Sequence, residues 1–468
     1  MTSAGRVTAA GVVPGSQEAP SRTLEALAVG ALTMVGLVLR LIRYVQLPAL
    51  ADNQDELAWA WSGLTLITRH VPYAWSYLPS YRSVEILVAN GTTYPVVHPY
   101  LDHPPLFSVL VGGVAWLQGA RRITDVSPGM VRPVAIVLSA ATIPLMYALV
   151  RRTLSPGAGF LGAGLFAVAP ACVYFGRSVE SENLLAPILL VALLLTVSLL
   201  RGDRHSRAAL VGLAICCGVA PLVKVPGLAV GAACAAALLR GGRWRLSLVA
   251  ILAAGGGLAV YVGYGYMIDW QQFLHVFADQ AARREGVMGA YEFISAPAGF
   301  DRALRDGWWI LGWIGLGAMM ARGDERAKLL PVAGLVVALA LLVFGSETNT
   351  AHYGWYRIFI YPVVYAGAGY ACWETIRAPA EGWSLAVLAL GAATTVSVAL
   401  GYGVLHSGPP SWLIVLACAS VVLPAVASRG VGATHRWLLP TARWSAGAML
   451  ALLLAGSIVE SATMTSLG

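Results

Sequence analysis

Long apolar runs separated by short polar segments dominate this sequence. The runs begin near Leu24, Leu106, Val131, Gly157, Leu184, Ala208, Pro226, Leu246, Trp308, Leu329, Gly354, Leu385, Trp412 and Ser445. A helix needs about 20 apolar residues to cross the hydrocarbon region of a bilayer, and its backbone groups must hydrogen-bond within the segment. No segment shows the period-two alternation of a barrel strand. The pattern predicts an all-α polytopic membrane protein with about 13 transmembrane helices.

Two polar segments between the runs are long enough to have structure of their own, 47–104 and 269–306. Loops longer than about 12 to 15 residues are often functional. In the first segment, the half-apolar run Leu57–Ile67 contains two tryptophans and follows an acidic cluster. This order predicts a juxtamembrane helix that lies along the interface and turns its carboxylates toward a cavity.

The composition agrees with a membrane protein. Hydrophobic residues make up 58% of the chain, charged residues 12%, and the mean hydropathy is +0.70, which excludes an ordinary soluble domain. The six cysteines lie inside or at the ends of apolar runs without a CxxC pattern, so they are predicted to be core residues rather than disulfide or metal sites. Residues 1–21 are small and polar and predict a disordered cytoplasmic tail before an uncleaved anchor.

Charge placement predicts the orientation of the chain. Lys and Arg outnumber acidic residues at 151–152, 201–207, 240–245, 322–328 and 429–443, which indicates cytoplasmic segments. The net charge of +8 is then mainly a topology signal, and no nucleic-acid-binding module is present. Two apolar runs separate His103 (outside) from Arg151 (inside), so either one run is re-entrant or a span is missed. The polar groups that are candidates for chemistry are all predicted on the outer face, at 52–56, 102–103, 177–182, 224, 269–306 and 347–357.

An acidic cluster on that face is the first candidate for chemistry. Asp52, Asp55 and Glu56 share one face if the segment is helical, where like charges raise each other's pKa and suit acid/base or cation chemistry. The alternative is a solvated acidic loop. A second acidic site, Asp102-His103, precedes Pro104-Pro105, and a proline suits a first helical turn. His103 is therefore expected near a helix N-terminus, where an anion is favoured.

Three cations are candidates for binding a phosphate. Arg177 lies in a polar interruption and can pair with Glu180 one helical turn away. Lys224 lies between two prolines with no acid nearby in the sequence, and suits a lipid phosphate or simple snorkelling. Arg357 enters an apolar run within the aromatic segment 352–362, and an arginine can bind a phosphate in bidentate fashion; structural pairing is the alternative for each arginine.

In their order and spacing these residues resemble the GT-C superfamily of membrane glycosyltransferases. More narrowly, the chain is similar to the protein O-mannosyltransferase and aminoarabinose transferase relatives. The motifs are Asp55-Glu56 after the first span, His103-Pro-Pro-Leu106, Arg177 with Glu182, Lys224 before Pro-Gly, and a late His/Tyr/Arg-Pro segment. The resemblance implies a GT-C-like bundle whose outer first loop carries juxtamembrane helices.

The resemblance also implies an activity and roles for residues. It implies an inverting transfer of sugar from a polyprenyl-phosphate carrier to an acceptor hydroxyl on the outer side. The acceptor is a protein, a glycolipid or a polysaccharide, and the sequence leaves these three classes open. The implied roles are catalytic for Asp55 and Glu56; supporting for Asp52, Asp102 and Glu182, the last where relatives often carry Asp; carrier-binding for His103, Arg177, Lys224 and Arg357; and substrate-binding for His352, Tyr353 and Tyr356. Clustered carboxylates could also bind a divalent cation, and the metal is left unassigned.

The expected organisation places the catalytic transmembrane module at 22–376 and further transmembrane helices at 377–468, with no soluble C-terminal domain. Residues 269–306, with Asp269, Arg283, Arg284, Tyr291 and Glu292, are the expected acceptor-facing segment. The expected location is a prokaryotic plasma membrane. Two alternatives stay open: a transporter or flippase for a lipid-linked or anionic substrate, and a non-catalytic GT-C-like subunit. Charges gathered at one face and the lack of a repeat disfavour the transporter.

Overall fold

The structure of the chain is a computed structural model. It describes residues 22–50, 54–89, 91–202, 206–282, 307–321, 324–344, 355–379, 381, 383–384, 386–388, 412, 416, 419, 422–427 and 438–464.

Helices make up most of the described residues. The α-helices are α1 Arg22–Leu41, α2 Asp55–Arg69, α3 Pro105–Leu117, α4 Pro128–Thr153, α5 Pro156–Val168, α6 Pro170–Phe175, α7 Glu182–Arg201, α8 Ser206–Val223, α9 Leu228–Arg240, α10 Trp244–Ala282, α11 Trp308–Ala321, α12 Leu329–Phe344, α13 Tyr361–Arg377 and α14 Leu438–Thr463. Short 3-10 helices span Ile123–Asp125, Val225–Gly227 and Trp355–Phe359. Three strands, β1 Ala74–Trp75, β2 Val84–Ala89 and β3 Thr92–Val97, form an antiparallel sheet in the order β1-β3-β2.

Six of the helices are long and apolar enough to cross a membrane. They are α1, α4, α7, α8, α10 and most of α14. This confirms the predicted polytopic, all-α membrane class. The number of spans, about 13, stays a prediction, since parts of the chain such as 283–306 and 345–354 lie outside the described residues.

Small residues allow the central helices to pack closely. A Cβ on Gly369 of α13 would lie 2.2 Å from the backbone nitrogen of Gly162 in α5. The three consecutive glycines Gly255, Gly256 and Gly257 differ in how closely other residues approach them. Only Gly257 lies against another helix, whereas a Cβ on Gly255 or Gly256 would meet nothing within 4 Å.

The helix pair α2 and α3 explains the topology between His103 and Arg151. α3 has 13 residues and is about 20 Å long, shorter than the bilayer core of about 30 Å. It packs on α2 so closely that a Cβ on Gly63 would overlap the carbonyl of Ser108. Arg132, near the start of α4, donates to the carbonyl of Tyr44, just after α1. α4 therefore starts at the end of the bundle where α1 finishes, and α3 is the apolar run that does not cross.

The predicted interfacial position of α2 is only partly correct. Its residues from Glu56 to Thr65 are all buried in the protein, including Trp59 and Trp61. The two indoles pack inward against protein rather than serving as lipid-facing anchors. Trp61 contacts Tyr94 of β3 edge-on, with ring centroids 5.2 Å apart, so the small sheet covers this helix.

The second long polar segment begins as a helix rather than a loop. Asp269 has non-helical dihedral angles inside α10 and marks a kink. Its Oδ1 accepts a hydrogen bond from the backbone N–H of Gln272 (2.9 Å), which caps the helix that continues to Ala282. Asp279 accepts from the backbone N–H of Ser80 (3.0 Å). Residues 270–282 therefore dock on the first polar segment, while Arg283, Arg284, Tyr291 and Glu292 lie outside the described residues.

Candidate active site

Trp59 connects the first motif to two others. It lies one turn after Asp55 on α2 and is 1% exposed. Its ring stacks on His103, with centroids 4.6 Å apart and planes 15° from parallel. Its Nε1–H donates to Oε2 of Glu180 (3.2 Å). Residues from three separate segments thus meet at this indole.

His103 lies where the sequence predicts it. α3 starts at Pro105, with Pro104 as its N-cap residue, so His103 is next to a helix N-terminus. Asp102 beside it is held by two hydroxyl groups. Ser76 donates to its Oδ2 (2.8 Å) and Tyr81 to its Oδ1. Burial raises the pKa of Tyr81 well above its usual value, and the Asp102 carboxylate raises it further, so the phenol stays a donor.

Lys224 is paired with an acid that is remote in sequence. Its Nζ donates to Oε1 of Glu182 at 2.6 Å, and Ser181 donates to the other oxygen of that carboxylate (3.0 Å). Lys224 precedes the 3-10 turn Val225–Gly227. In that turn, a Cβ on Gly227 would lie 2.2 Å from the carbonyl oxygen of Ala220, so only glycine allows the chain to approach so closely.

Tyr356 completes the surroundings of Lys224. The Nζ of Lys224 lies 4.2 Å from the centroid of the Tyr356 ring and 5.8 Å from that of Trp59, distances suited to cation–π attraction. Lys224, Glu182 and Asp55 all interact electrostatically with Tyr356. The aromatic segment near residue 355 is therefore brought to the same place as the acidic motif of α2.

A cavity of about 110 Å³ opens beside these groups. Asp102, His103, Lys224, Tyr261 and Tyr356 line it, together with apolar residues of α10 and α12. Asp55 is near enough to this group to act on Tyr100 electrostatically. Burial raises the pKa of Tyr100 well above its usual value, and Asp102, Tyr81 and Asp55 raise it further. A carboxylate, a lysine and aromatic faces around one cavity can bind an anion and take up a proton.

Glu56 is not among the described residues that line that cavity. It is fully buried, and its Oε2 accepts from Nε of Arg132 at 2.9 Å. The two other nitrogens of Arg132 donate to the carbonyls of Tyr44, Val45 and Pro48. Consecutive residues of a helix point about 100° apart, so Asp55 and Glu56 face different partners. The two acids therefore do not form one cluster facing the cavity, although Asp55 still acts on Glu56 electrostatically. The predicted position of Asp52 on the same face stays a prediction, since Asp52 lies outside the described residues.

Arg177 does not make the predicted pair with Glu180. Its Nη2 donates to the carbonyl of Leu39 (2.7 Å), and its Nε and Nη1 are buried without a hydrogen-bond partner among the described residues. Arg40 and Arg132 are near enough to act on it electrostatically. Arg177 thus belongs to a group of buried arginines at the end of α1, whereas Glu180 contacts Trp59.

Arg357 lies on another side of its 3-10 helix from Tyr356. Its guanidinium carbon is 5.0 Å from the centroid of the Trp309 ring in α11, and the side chain is buried. Neither Arg357 nor Arg177 is among the described residues that line the cavity. Of the four predicted carrier-binding residues, the structure brings His103 and Lys224 together at the cavity.

Several residues were missed by the sequence-based prediction. The sequence pattern does not identify Trp59 or Arg132 as site residues, and it indicates Glu180 only as a partner of Arg177. The spacing of Trp59, four residues after Asp55, is the one local signal that places it on the same side of α2. Asp52, His352 and Tyr353 lie outside the described residues. Within the described residues, no three His, Cys, Asp or Glu side chains are grouped as metal ligands would be.

Comparison with known proteins gives a family segment and a fold. Residues 102–264 match the sequence model of the dolichyl-phosphate-mannose-protein mannosyltransferase family. No curated protein sequence matches the chain significantly. The structure of ArnT from Cupriavidus metallidurans bound to undecaprenyl phosphate matches 94% of this chain and 78% of its own, with 15% identity and a TM-score of 0.53. The apo form of that protein matches similarly, with 16% identity and a TM-score of 0.53 over 94% of this chain and 77% of its own.

A further structural match is the archaeal oligosaccharyltransferase AglB from Archaeoglobus fulgidus, at 12% identity and a TM-score of 0.48 over 91% of this chain and 56% of that one. The ArnT match establishes the fold, and the family match covers the segment that contains Asp102, His103, Glu182 and Lys224. The predicted resemblance to the protein O-mannosyltransferase and aminoarabinose transferase relatives is thus confirmed to this extent: this multi-pass membrane protein has the fold of ArnT, and residues 102–264 match the mannosyltransferase family model.

Proposed function

We propose that this chain is an inverting glycosyltransferase that moves a sugar from a polyprenyl-phosphate carrier to an acceptor hydroxyl on the extracytoplasmic side of the membrane. The observation that carries the proposal is one cavity lined by Asp102, His103, Lys224 and Tyr356. Glu182 holds Lys224 from behind in an ion pair, and Asp55 is near enough to act on Tyr356 electrostatically. The family match of residues 102–264 and the ArnT-like fold support a carrier-linked sugar as the donor.

Asp55 is the proposed catalytic base. Its carboxylate takes the proton of the acceptor O–H while that oxygen attacks the anomeric carbon from the side opposite the phosphate. The bond between the anomeric carbon and the phosphate oxygen breaks, and its electron pair stays on that oxygen. The sugar therefore changes anomeric configuration, and the carrier leaves as polyprenyl phosphate.

Lys224 is the proposed stabiliser of the leaving phosphate. An ammonium group has three N–H donors, and Lys224 gives one to Glu182. Within the described residues the other two have no acceptor and remain for phosphate oxygens at the cavity, and the Tyr356 ring restricts where Nζ can lie. Glu182 thus orients the cation before the carrier binds, so that little reorganisation is needed as charge develops. His103, beside the N-terminus of α3, is a further proposed donor to the phosphate.

Glu56 is better described as a positioning residue than as a catalytic one. Its bond to Arg132 ties the first turn of α2 to α4 and, through the carbonyls that Arg132 binds, to the end of α1. This fixes the start of the helix on which Asp55 lies. Carrier binding by Arg357 and substrate binding by His352 and Tyr353 stay predictions, as does a supporting role for Asp52. We assign Arg177 no contact with the carrier.

Transfer from a labelled donor tests the proposal. The purified chain is incubated with membrane extract and radiolabelled mannose, glucose or aminoarabinose on undecaprenyl or dolichyl phosphate. We expect transfer from at least one donor, inversion at the anomeric carbon, and a rate about 10² to 10⁴ times lower for Asp55→Asn. Asp125→Asn is the matched control, because Asp125 is exposed and its carboxylate bonds only to the neighbouring backbone in the described structure.

The outcomes separate this proposal from the alternatives. Full activity of Asp55→Asn would remove its role as base, and retention of configuration would exclude a single inverting displacement. No transfer from any donor, with uptake of carrier into vesicles instead, would favour a transporter or flippase. Comparing EDTA with added Mg²⁺ or Mn²⁺ in the same assay tests whether transfer needs a divalent cation, which the sequence leaves unassigned. The identity of the labelled product distinguishes protein, glycolipid and polysaccharide acceptors.

A further inference from the structure

A second, larger cavity lies at the opposite end of the helical bundle from the candidate active site. Its volume is about 620 Å³. It is formed by the C-terminal ends of α4, α7 and α9 and by the N-terminal end of α12 with the turn before it. The segments that line it are those whose Lys and Arg content predicts the cytoplasmic side.

Four arginines and one acid line this cavity. They are Arg152, Arg201, Arg240, Arg326 and Glu325. Arg240 and Lys328 both bond to Glu325, at 2.6 and 2.8 Å, so that acid is already shared by two cations. Arg152, Arg201 and Arg326 make no ion pair within the described part of the chain. The cavity therefore has an excess of positive charge.

The walls between these arginines are apolar. Val197 and Leu200 of α7, Ala237 of α9, and Leu329 and Val332 of α12 line the same cavity. A cavity with cationic groups at its mouth and aliphatic side chains within it matches a molecule that has an anionic head and a hydrocarbon tail. A free inorganic anion would use only the first of these features.

Helix dipoles explain only part of this arrangement. A basic residue near a helix C-terminus is stabilised by the dipole, which accounts for one arginine each on α4, α7 and α9. It does not account for Arg326, which precedes the N-terminus of α12, where the dipole favours an anion instead. Nor does it require the four guanidinium groups to border one apolar cavity.

We propose that this cavity binds the phosphate headgroup of an anionic phospholipid from the adjacent leaflet, with part of an acyl chain along its apolar wall. The site goes beyond the proposed transferase function and does not depend on it. Cytoplasmic leaflets are rich in anionic lipid, and basic residues near such a surface are attracted to it. Bound lipid would join four helices, among them α7, which starts at Glu182, and α9, which follows the turn after Lys224.

Lipid binding to the full chain in neutral detergent tests this site. Native mass spectrometry counts bound dioleoyl phosphatidylglycerol, dioleoyl phosphatidylcholine or inorganic phosphate during titration. We expect one saturable phosphatidylglycerol per chain, with at least tenfold weaker binding of phosphatidylcholine and of inorganic phosphate. The double variant Arg152→Gln/Arg326→Gln should bind phosphatidylglycerol about tenfold more weakly. Arg245→Gln is the matched control, because Arg245 is at the same end but lies over Trp244 outside the cavity.

A variant that is expected to bind lipid more tightly shows whether the weaker binding of the double variant is merely a loss of folding. Glu325→Gln removes the one acid of the cavity and releases Arg240 and Lys328, so phosphatidylglycerol should bind more tightly than in the wild type. Equal binding of phosphatidylglycerol and phosphatidylcholine, or an equal loss in Arg245→Gln, would overturn the site. If inorganic phosphate bound as tightly as phosphatidylglycerol, the ligand of this cavity would be a free phosphate and the lipid proposal would be overturned. Weaker binding in Glu325→Gln would also contradict the proposal.

Discussion

The two ends of the helical bundle both concentrate charge, but they hold it in different ways. At the candidate active site, acids and bases are buried and matched: Glu56 pairs with Arg132, and Glu182 with Lys224, with side chains at most 6% exposed. At the other end, Glu325 is 64% exposed and Arg240 37% exposed. The first arrangement fixes the positions of single groups, while the second produces a field of one sign that water can screen.

This difference has energetic consequences. Removing one partner of a buried pair leaves an uncompensated charge in a medium that solvates it poorly. Removing one partner of an exposed pair leaves a hydrated charge and changes little. The buried end should therefore respond to single substitutions with loss of stability or activity. The exposed end should respond mainly in its affinity for anions.

The same substitution at the two ends gives the largest expected contrast. Glu56→Gln should lower the free energy of unfolding by about 3 to 5 kcal/mol, because Arg132 remains buried without its carboxylate. Thermal unfolding in detergent measures this. Glu325→Gln is the control and should leave the unfolding midpoint nearly unchanged, since Glu325 itself and its partner Arg240 are exposed to water. Equal midpoints for the two variants would show that burial does not distinguish the two ends.

Lys224→Met should lower the transfer rate by about 10² to 10³, the usual cost of losing one group that stabilises developing charge. It also leaves Glu182 buried without its cation, so stability should fall as well. The double variant Lys224→Met/Glu182→Gln separates the two effects. It should regain most of the stability but not the transfer rate. Recovery of transfer by the double variant would mean that Lys224 serves the fold and does not act on the phosphate.

Gly63→Ala tests how closely α2 must approach α3. A Cβ at this position would overlap the carbonyl of Ser108, so the helix that carries Asp55 must shift. Overpacking of this kind costs about 1 to 3 kcal/mol. Gly256→Ala is the control, because a Cβ there meets nothing within 4 Å. It should be neutral or slightly stabilising in thermal unfolding, and a loss as large as that of Gly63→Ala would contradict the assignment of this contact.

The sequence was sufficient to predict the class of fold and the residues that begin each motif. Apolar runs long enough to span a bilayer predict the helices, and Pro104-Pro105 predicts the start of α3, because these signals are local. The partners were not predictable in the same way. Glu182 and Lys224 are 42 residues apart, and Glu56 and Arg132 are 76 apart, so their pairing depends on how the helices pack.

The incorrect expectations have the same cause. Arg177 and Glu180 have the spacing of a helical pair, but the chain between α6 and α7 is not a regular helix, and the two side chains point to different neighbours. Trp59 and Trp61 have the composition of an interfacial anchor, but the small sheet and α3 cover them. Local spacing indicates which residues can meet, and tertiary packing decides which of them do.

The smallest expected effect comes from one of the two hydroxyl groups that hold Asp102. Ser76→Ala removes the hydrogen bond to Oδ2, while Tyr81 still donates to Oδ1. Loss of one such bond is worth about 1 kcal/mol, or about fivefold in rate if the orientation of Asp102 matters for transfer. Ser83→Ala is the matched control, because the Ser83 hydroxyl contacts His98 instead. The comparison is made on kcat and KM separately. If Ser76→Ala changes neither constant more than Ser83→Ala does, then Asp102 supports the fold of the first polar segment rather than the cavity, and the functional cluster at this end reduces to Asp55, His103, Glu182, Lys224 and Tyr356.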